Sequence, residues 1–182
     1  MRSRSQPLER IPIAKLADIF CKVSEVVLTD QALGAAPCNN LSRSQWEGIL
    51  FVQRHEYCSI RNLAEGLGVS HPAAVKMVER LVRKGLLDRR ESVQDRRVVE
   101  LSVSGLGQAC VETVRNHRAQ GLESFLAQMS VDETESLLVG LQSFLRAALH
   151  DPETAEAVCL HCGREHVEEC LIHQSAAAQR AS

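Results

Sequence analysis

The sequence predicts a mainly helical fold with one small β hairpin. Three observations predict it. Apolar residues recur at helical spacing over most of the chain. Ser42, Ser70, Ser104 and Ser130 each stand just ahead of such a run, where a side-chain oxygen caps a helix. Only one segment, Arg97 to Val103, alternates apolar and polar residues as a half-buried strand does. The 182 residues, 45% hydrophobic and 24% charged, suffice for a buried core. No apolar run approaches the ~20 residues that span a bilayer, and no apolar stretch follows the basic start as a signal peptide requires. A cytoplasmic protein without a membrane partner is the expectation. Seven cysteines in that setting read as thiols or metal ligands rather than a disulfide framework.

In chain order, Leu16, Ile19, Phe20, Val23, Val26 and Val27 mark a long helix from Pro12 to near Gly34. A loop through Pro37 follows. Ser42 then caps a second helix that turns Trp46, Ile49, Leu50 and Val52 inward. Residues 59–69 form a short helix ending at glycine. Ser70 caps the next, with Pro72 in its first turn. Helix, glycine-containing turn and capped helix make a helix-turn-helix. Two antiparallel strands joined by a charged tip complete a winged helix. Ser104 opens a helix to about Gln128, and Ser130 with Glu133 forms a capping box opening a helix to about His150. Asp151-Pro152 ends or bends it.

Charge is uneven along the chain. Residues 41–101 hold 11 basic and 8 acidic side chains, whereas residues 102–182 hold 5 and 11. A basic middle and an acidic end aim one part of a molecule at a polyanion. Aromatics at 3% disfavour single-strand binding by stacking. Double-stranded DNA is the expected partner. A helix entering the major groove needs small or hydrogen-bonding residues at its front, and Ser70, His71, Ala73, Ala74 and Lys76 supply them. Lys76 and Arg80, one turn apart, reach a guanine edge or a phosphate. At the wing tip, Arg97 is the expected minor-groove reader, Asp95 its orienter and Arg96 a phosphate contact.

These residues resemble the MarR family of bacterial winged-helix regulators. The resemblance rests on Leu63-Ala64-Glu65-Gly66-Leu67-Gly68-Val69-Ser70, on the run from Met77 to Leu87, on Asp95-Arg96-Arg97, and on Leu101-Ser102-Val103-Ser104 with Gly107. It implies a homodimer built from the first helix and the last two, binding a palindromic operator and usually repressing. By carry-over, Ser70, His71, Ala73 and Lys76 face the groove, and Asp95 and Arg97 form the wing pair. Pro72-Ala73-Ala74-Val75 departs from the hydroxyl residues often found there, which shifts weight to shape and backbone contacts. The organisation expected is a dimerisation helix and loop (1–40), a winged helix (41–104), two dimerisation helices (105–150) and a tail (151–182).

The tail contains Cys159-x2-Cys162 followed by glycine, then Cys170-x2-His173. Two thiolates from one tight knuckle and a Cys/His pair one helical turn apart make a Cys3His set suited to tetrahedral zinc. His166 competes for the fourth position, His161 less so. An iron–sulfur cluster is the alternative cofactor. The metal is expected to be structural or sensory. Cys21, in the first helix, is a possible oxidant-sensing thiol by analogy with some relatives, although a small buried apolar role is commoner. A small molecule or an oxidant is the expected effector. Catalysis has little support: Gly105-Leu106-Gly107 lacks a third glycine, and His55-Glu56 has serine, not histidine, at position 59. A protein-interaction adaptor is the remaining alternative, and salt-dependent DNA affinity separates it from a regulator.

Overall fold

The computed structural model describes residues 11–38, 41–91 and 99–162 with Cys170 and Ile172, and for residues 160–162 the backbone only. It opens with α1 (Ile13–Val23), runs through a π-helical segment (Ser24–Asp30), and continues into α2 (Gln31–Ala35). The long first helix is thus present with an altered winding in its middle. Arg43 clamps that segment: its guanidinium donates to both carboxylate oxygens of Asp30, at 2.7 and 2.6 Å. That hydrogen bonding holds the Asp30 carboxyl below its usual range.

The winged-helix head follows. Ser42 and Gln45 form a capping box opening α3 (Arg43–Arg54), which buries Trp46, Ile49, Leu50, Phe51 and Val52. β1 (Cys58–Ser59) leads into α4 (Ile60–Gly66), then α5 (His71–Arg83), β2 (Leu87–Glu91) and β3 (Val99–Val103). The expected hairpin is a three-stranded antiparallel sheet in the order β1-β3-β2. Cys58 pairs with Leu101 and Leu87 with Val103. A two-residue strand carries no periodicity, which is why alternation did not mark it. Leu63, Val78, Leu81, Leu86 and Leu101 join Val111 and Val114 of α6 (Gly105–Leu126) in one core.

α7 (Val131–Ala148) follows the Ser130–Glu133 capping box. Neither α1 nor α7 buries any of its residues. Their exposed apolar side chains include Leu16, Ile19, Phe20 and Val23 on α1 and Leu137, Leu138, Leu141 and Phe144 on α7. α7 ends before Asp151-Pro152, as expected, and a further helix follows. The Asp151 carboxylate accepts from the Thr154 backbone N–H at 2.8 Å and caps α8 (Pro152–Cys162), where proline is tolerated at the first turn. α8 packs against α3, with Ala155 buried. The expected tight knuckle at Cys159–Cys162 is therefore corrected to a helical turn.

A second correction concerns the thiols. Cys38, just after α2, and Cys110, in α6, form a disulfide with their Cα atoms 6.1 Å apart and 72 residues of sequence separation. Folding alone brings them together, and spacing could not pair them.

Candidate nucleic-acid interface

α5 is the element that an exposed front and a capped start suit for the major groove. Ser70 has extended backbone and its hydroxyl accepts from the Ala73 N–H at 3.4 Å, the cap expected of it. The turn before it needs Gly68, whose φ of +63° is costly for any residue with a side chain. Ser70→Ala is expected to cost about 1 kcal/mol of stability, read from urea melts. An unchanged midpoint would remove the cap from the account.

Ser70, His71, Ala73, Lys76 and Arg80 are all exposed. Ala73, Lys76 and Arg80 recur at three- and four-residue spacing and share one helix face. Ala74 does not join them: it is completely buried, packing α5 onto the core with Val78 and Leu81. An alanine carries little hydropathy signal, so sequence could not separate Ala73 from Ala74. Arg89 and Arg90 on β2 are also exposed, opposite Leu101 and Glu100 of β3. They add positive charge to the wing that sequence reading passed over in favour of its tip. Asp95, Arg96 and Arg97 lie outside the described residues.

Behind the wing lies an open cleft of about 430 Å³, lined by His55, Tyr57, Arg90, Ser102 and Gln108 among others. Tyr57 takes a positive φ of 59° at its rim, a conformation that costs a non-glycine residue energy.

The other thiols differ sharply in environment. Burial pushes the Cys58 thiol up to about 11, which keeps it protonated near neutral pH. Cys21 is exposed on α1, not buried as the commoner case had it. Its neighbour Lys22 is paired with Glu25 at 2.7 Å. On α8, Cys159 Sγ accepts from the Arg54 guanidinium at 3.1 Å. Cys162 lies one turn further along that helix. Cys170 is half-buried. The Cys162 side chain, His166 and His173 lie outside the described residues, so the ligand set is not assembled here.

Comparison with known proteins finds several similar chains. Residues 39–98 match the family model described as "MarR family". The HTH-type transcriptional regulator YwhA of Bacillus subtilis is 23% identical over 87 residues, covering 48% of this chain and 63% of that protein. The chain thus spans about three fifths of that relative's length. The HTH-type transcriptional repressor MdtR of B. subtilis is 25% identical over 134 residues, covering 73% of this chain and 82% of that one. A solved structure of an S. aureus MepR mutant bound to an oligodeoxyribonucleotide superposes with a TM-score of 0.63 at 18% identity, covering 76% of this chain and 99% of that one. No helix among the described residues is long and apolar enough to cross a membrane. Residues 39–98 are thus similar to the MarR family, and the fold of the chain is similar to that of the MepR structure.

Proposed function

We propose that the chain is a cytoplasmic transcriptional regulator that binds a palindromic DNA operator as a homodimer and represses. The observation that carries this reading is α5: a capped helix with Ser70, His71, Ala73, Lys76 and Arg80 all exposed, within a segment that matches the MarR family. Two half-sites one helical turn apart require two such helices related by a two-fold axis. The apolar faces of α1 and α7 supply the surface for that pairing. The testing experiment selects duplexes from random-sequence DNA with the purified chain, then titrates a selected duplex against salt. A regulator yields a palindrome and a steep salt dependence. An adaptor yields neither.

Arg97 is the wing's minor-groove reader in this scheme, held in position by Asp95, with Arg96 on a phosphate. Arg97→Ala is expected to weaken operator binding by about 1–3 kcal/mol, measured by fluorescence anisotropy. Unchanged affinity would end that role.

Zinc is the proposed cofactor, held by Cys159, Cys162, Cys170 and His173, with His166 as the alternative fourth ligand. In its support, Cys159 and Cys162 are i and i+3 on one helix, a spacing that lets two thiolates share an ion. When bound, a closed four-ligand zinc would staple the acidic tail rather than do chemistry. Cys162→Ser is expected to release about one zinc per chain, read by elemental analysis of protein purified without added metal. Full retention would mean another ligand set, and iron in a brown sample would exchange zinc for the iron–sulfur alternative. The cleft beside Tyr57 and Arg90 is the proposed seat of a small-molecule effector, which would touch the wing strands directly there.

A further inference from the structure

We propose that Cys38 and Cys110 form a thiol–disulfide clamp that sets how firmly the winged helix is held to the helical arms, and thereby its DNA affinity. The pair sits where the head joins the rest of the chain. Cys38 ends the stretch that leads from α2 into the head, and Cys110 lies in the first turns of α6, which leads out of it. The 72-residue separation encloses α3, α4, α5 and all three strands. A bond there closes the whole head into one covalent loop at its base. Both side chains are buried, at 6% and 0% exposure, in the core that also holds Leu33, Leu41 and Trp46. α2 and the π-helical segment pack directly on α6 at this level. The bond therefore ties the end of the first-helix arm to α6 at the base of the head.

The chemistry balances with a hydroperoxide as oxidant. The Cys38 sulfur, the more exposed of the two, attacks the peroxide oxygen and becomes a sulfenic acid, releasing an alcohol. The Cys110 thiol then displaces water to form the disulfide. Two thiols lose two electrons and two protons, and the hydroperoxide leaves as alcohol and water. A dithiol reverses the step by exchange and leaves as its own cyclic disulfide. The reduced pair remains two small apolar side chains in a packed core, so the fold persists while the covalent tie is gone. A tethered head keeps its two-fold spacing without loss of conformational freedom on binding, so the disulfide form binds more tightly.

The DNA half of this proposal rests on the regulator reading above; the hinge half does not. The full chain, treated with a hydroperoxide or with a dithiol, is titrated with a duplex it has itself selected from random-sequence DNA. Hydrogen exchange is followed over residues 104–110 in both states. Reduction is expected to weaken binding about fivefold or more and to speed exchange there. Cys38→Ala/Cys110→Ala should behave as the reduced chain under either treatment, with Cys38→Ser alone taking its place if that double variant fails to fold. Free thiols at both positions after peroxide treatment, equal affinity in the two states, or a response surviving in the double variant would overturn the clamp. If neither state selects a duplex, the regulator reading fails and exchange alone judges the clamp: slower exchange in the disulfide form upholds it, and equal exchange overturns it.

Discussion

Ile19→Asp combined with Phe144→Asp is expected to leave a folded single chain whose operator affinity has fallen by at least about 100-fold. Ile19 is 56% exposed on α1 and Phe144 67% exposed on α7, so neither substitution opens a cavity within one chain. Secondary structure and the core around Ile49, Leu81 and Val111 should survive. What changes is the apolar surface that α1 and α7 leave uncovered. Isolated chains rarely expose contiguous apolar patches beyond a few hundred Å², and two helices without one buried residue exceed what solvated faces require. In the proposed dimer, a carboxylate on each helix from each chain puts four charges into a low-dielectric seam, where unpaired charge is costly. A monomer then engages one half-site, without the effective concentration that made the second contact intramolecular. Light scattering on a sizing column reads the mass, and titration with the selected duplex reads the affinity. A variant that stays dimeric would move the interface elsewhere. A monomer with unchanged affinity would show that pairing is not needed for binding.

The elements legible in the sequence share one property: a local signal that tertiary packing does not override. Ser42, Ser70, Ser104 and Ser130 each accept from the backbone N–H three residues on, as a capping side chain should. Much of the exposed front of α5 was legible for the same reason, since cap, Pro72 and helical spacing together set which way Lys76 and Arg80 face, though not which of Ala73 and Ala74 turns outward. The misses need three-dimensional information. The π-helical stretch at Ser24–Asp30 covers seven residues, too few for apolar spacing to distinguish its winding from an α-helix. Pro152 does stand beyond the end of α7, as expected, but the same residue also opens α8, because Asp151 stands ready to cap that first turn. Cys38 meets Cys110 only because α2 docks on α6. The wing-tip reading of Asp95, Arg96 and Arg97 falls outside the described residues and rests on the proposed DNA measurements.

Gly107→Ala is expected to destabilise the fold by about 3 kcal/mol, and the reason lies in how the wing is bolted to α6. The Leu86 carbonyl, at the base of β2, accepts from the Ser104 N–H at 3.1 Å. The Ser104 hydroxyl in turn donates to the Gly85 carbonyl and accepts from the Gly107 N–H at 3.0 Å. One serine thus caps α6 and fastens it to the strand entering the wing. The junction closes only because α6 lies directly on that strand. A Cβ at position 107 would overlap the Leu86 carbonyl and stand 2.7 Å from Val103 Cγ1. A carbonyl in a peptide unit cannot swing aside as a side chain does, so α6 would have to lift off the sheet, opening the packing of Leu86, Val111 and Val114. Gly105→Ala is the matched control. It lies two residues earlier in the same helix with nothing within 4 Å of its added Cβ, and should alter stability by no more than about 0.5 kcal/mol. Denaturant melts of the two variants separate close approach from glycine's general effect on helices. If both melt alike, the wing–α6 contact is looser than the structure has it. If only Gly107→Ala falls, and operator affinity falls with it beyond the loss of folded protein, that junction also sets the angle at which the wing meets DNA.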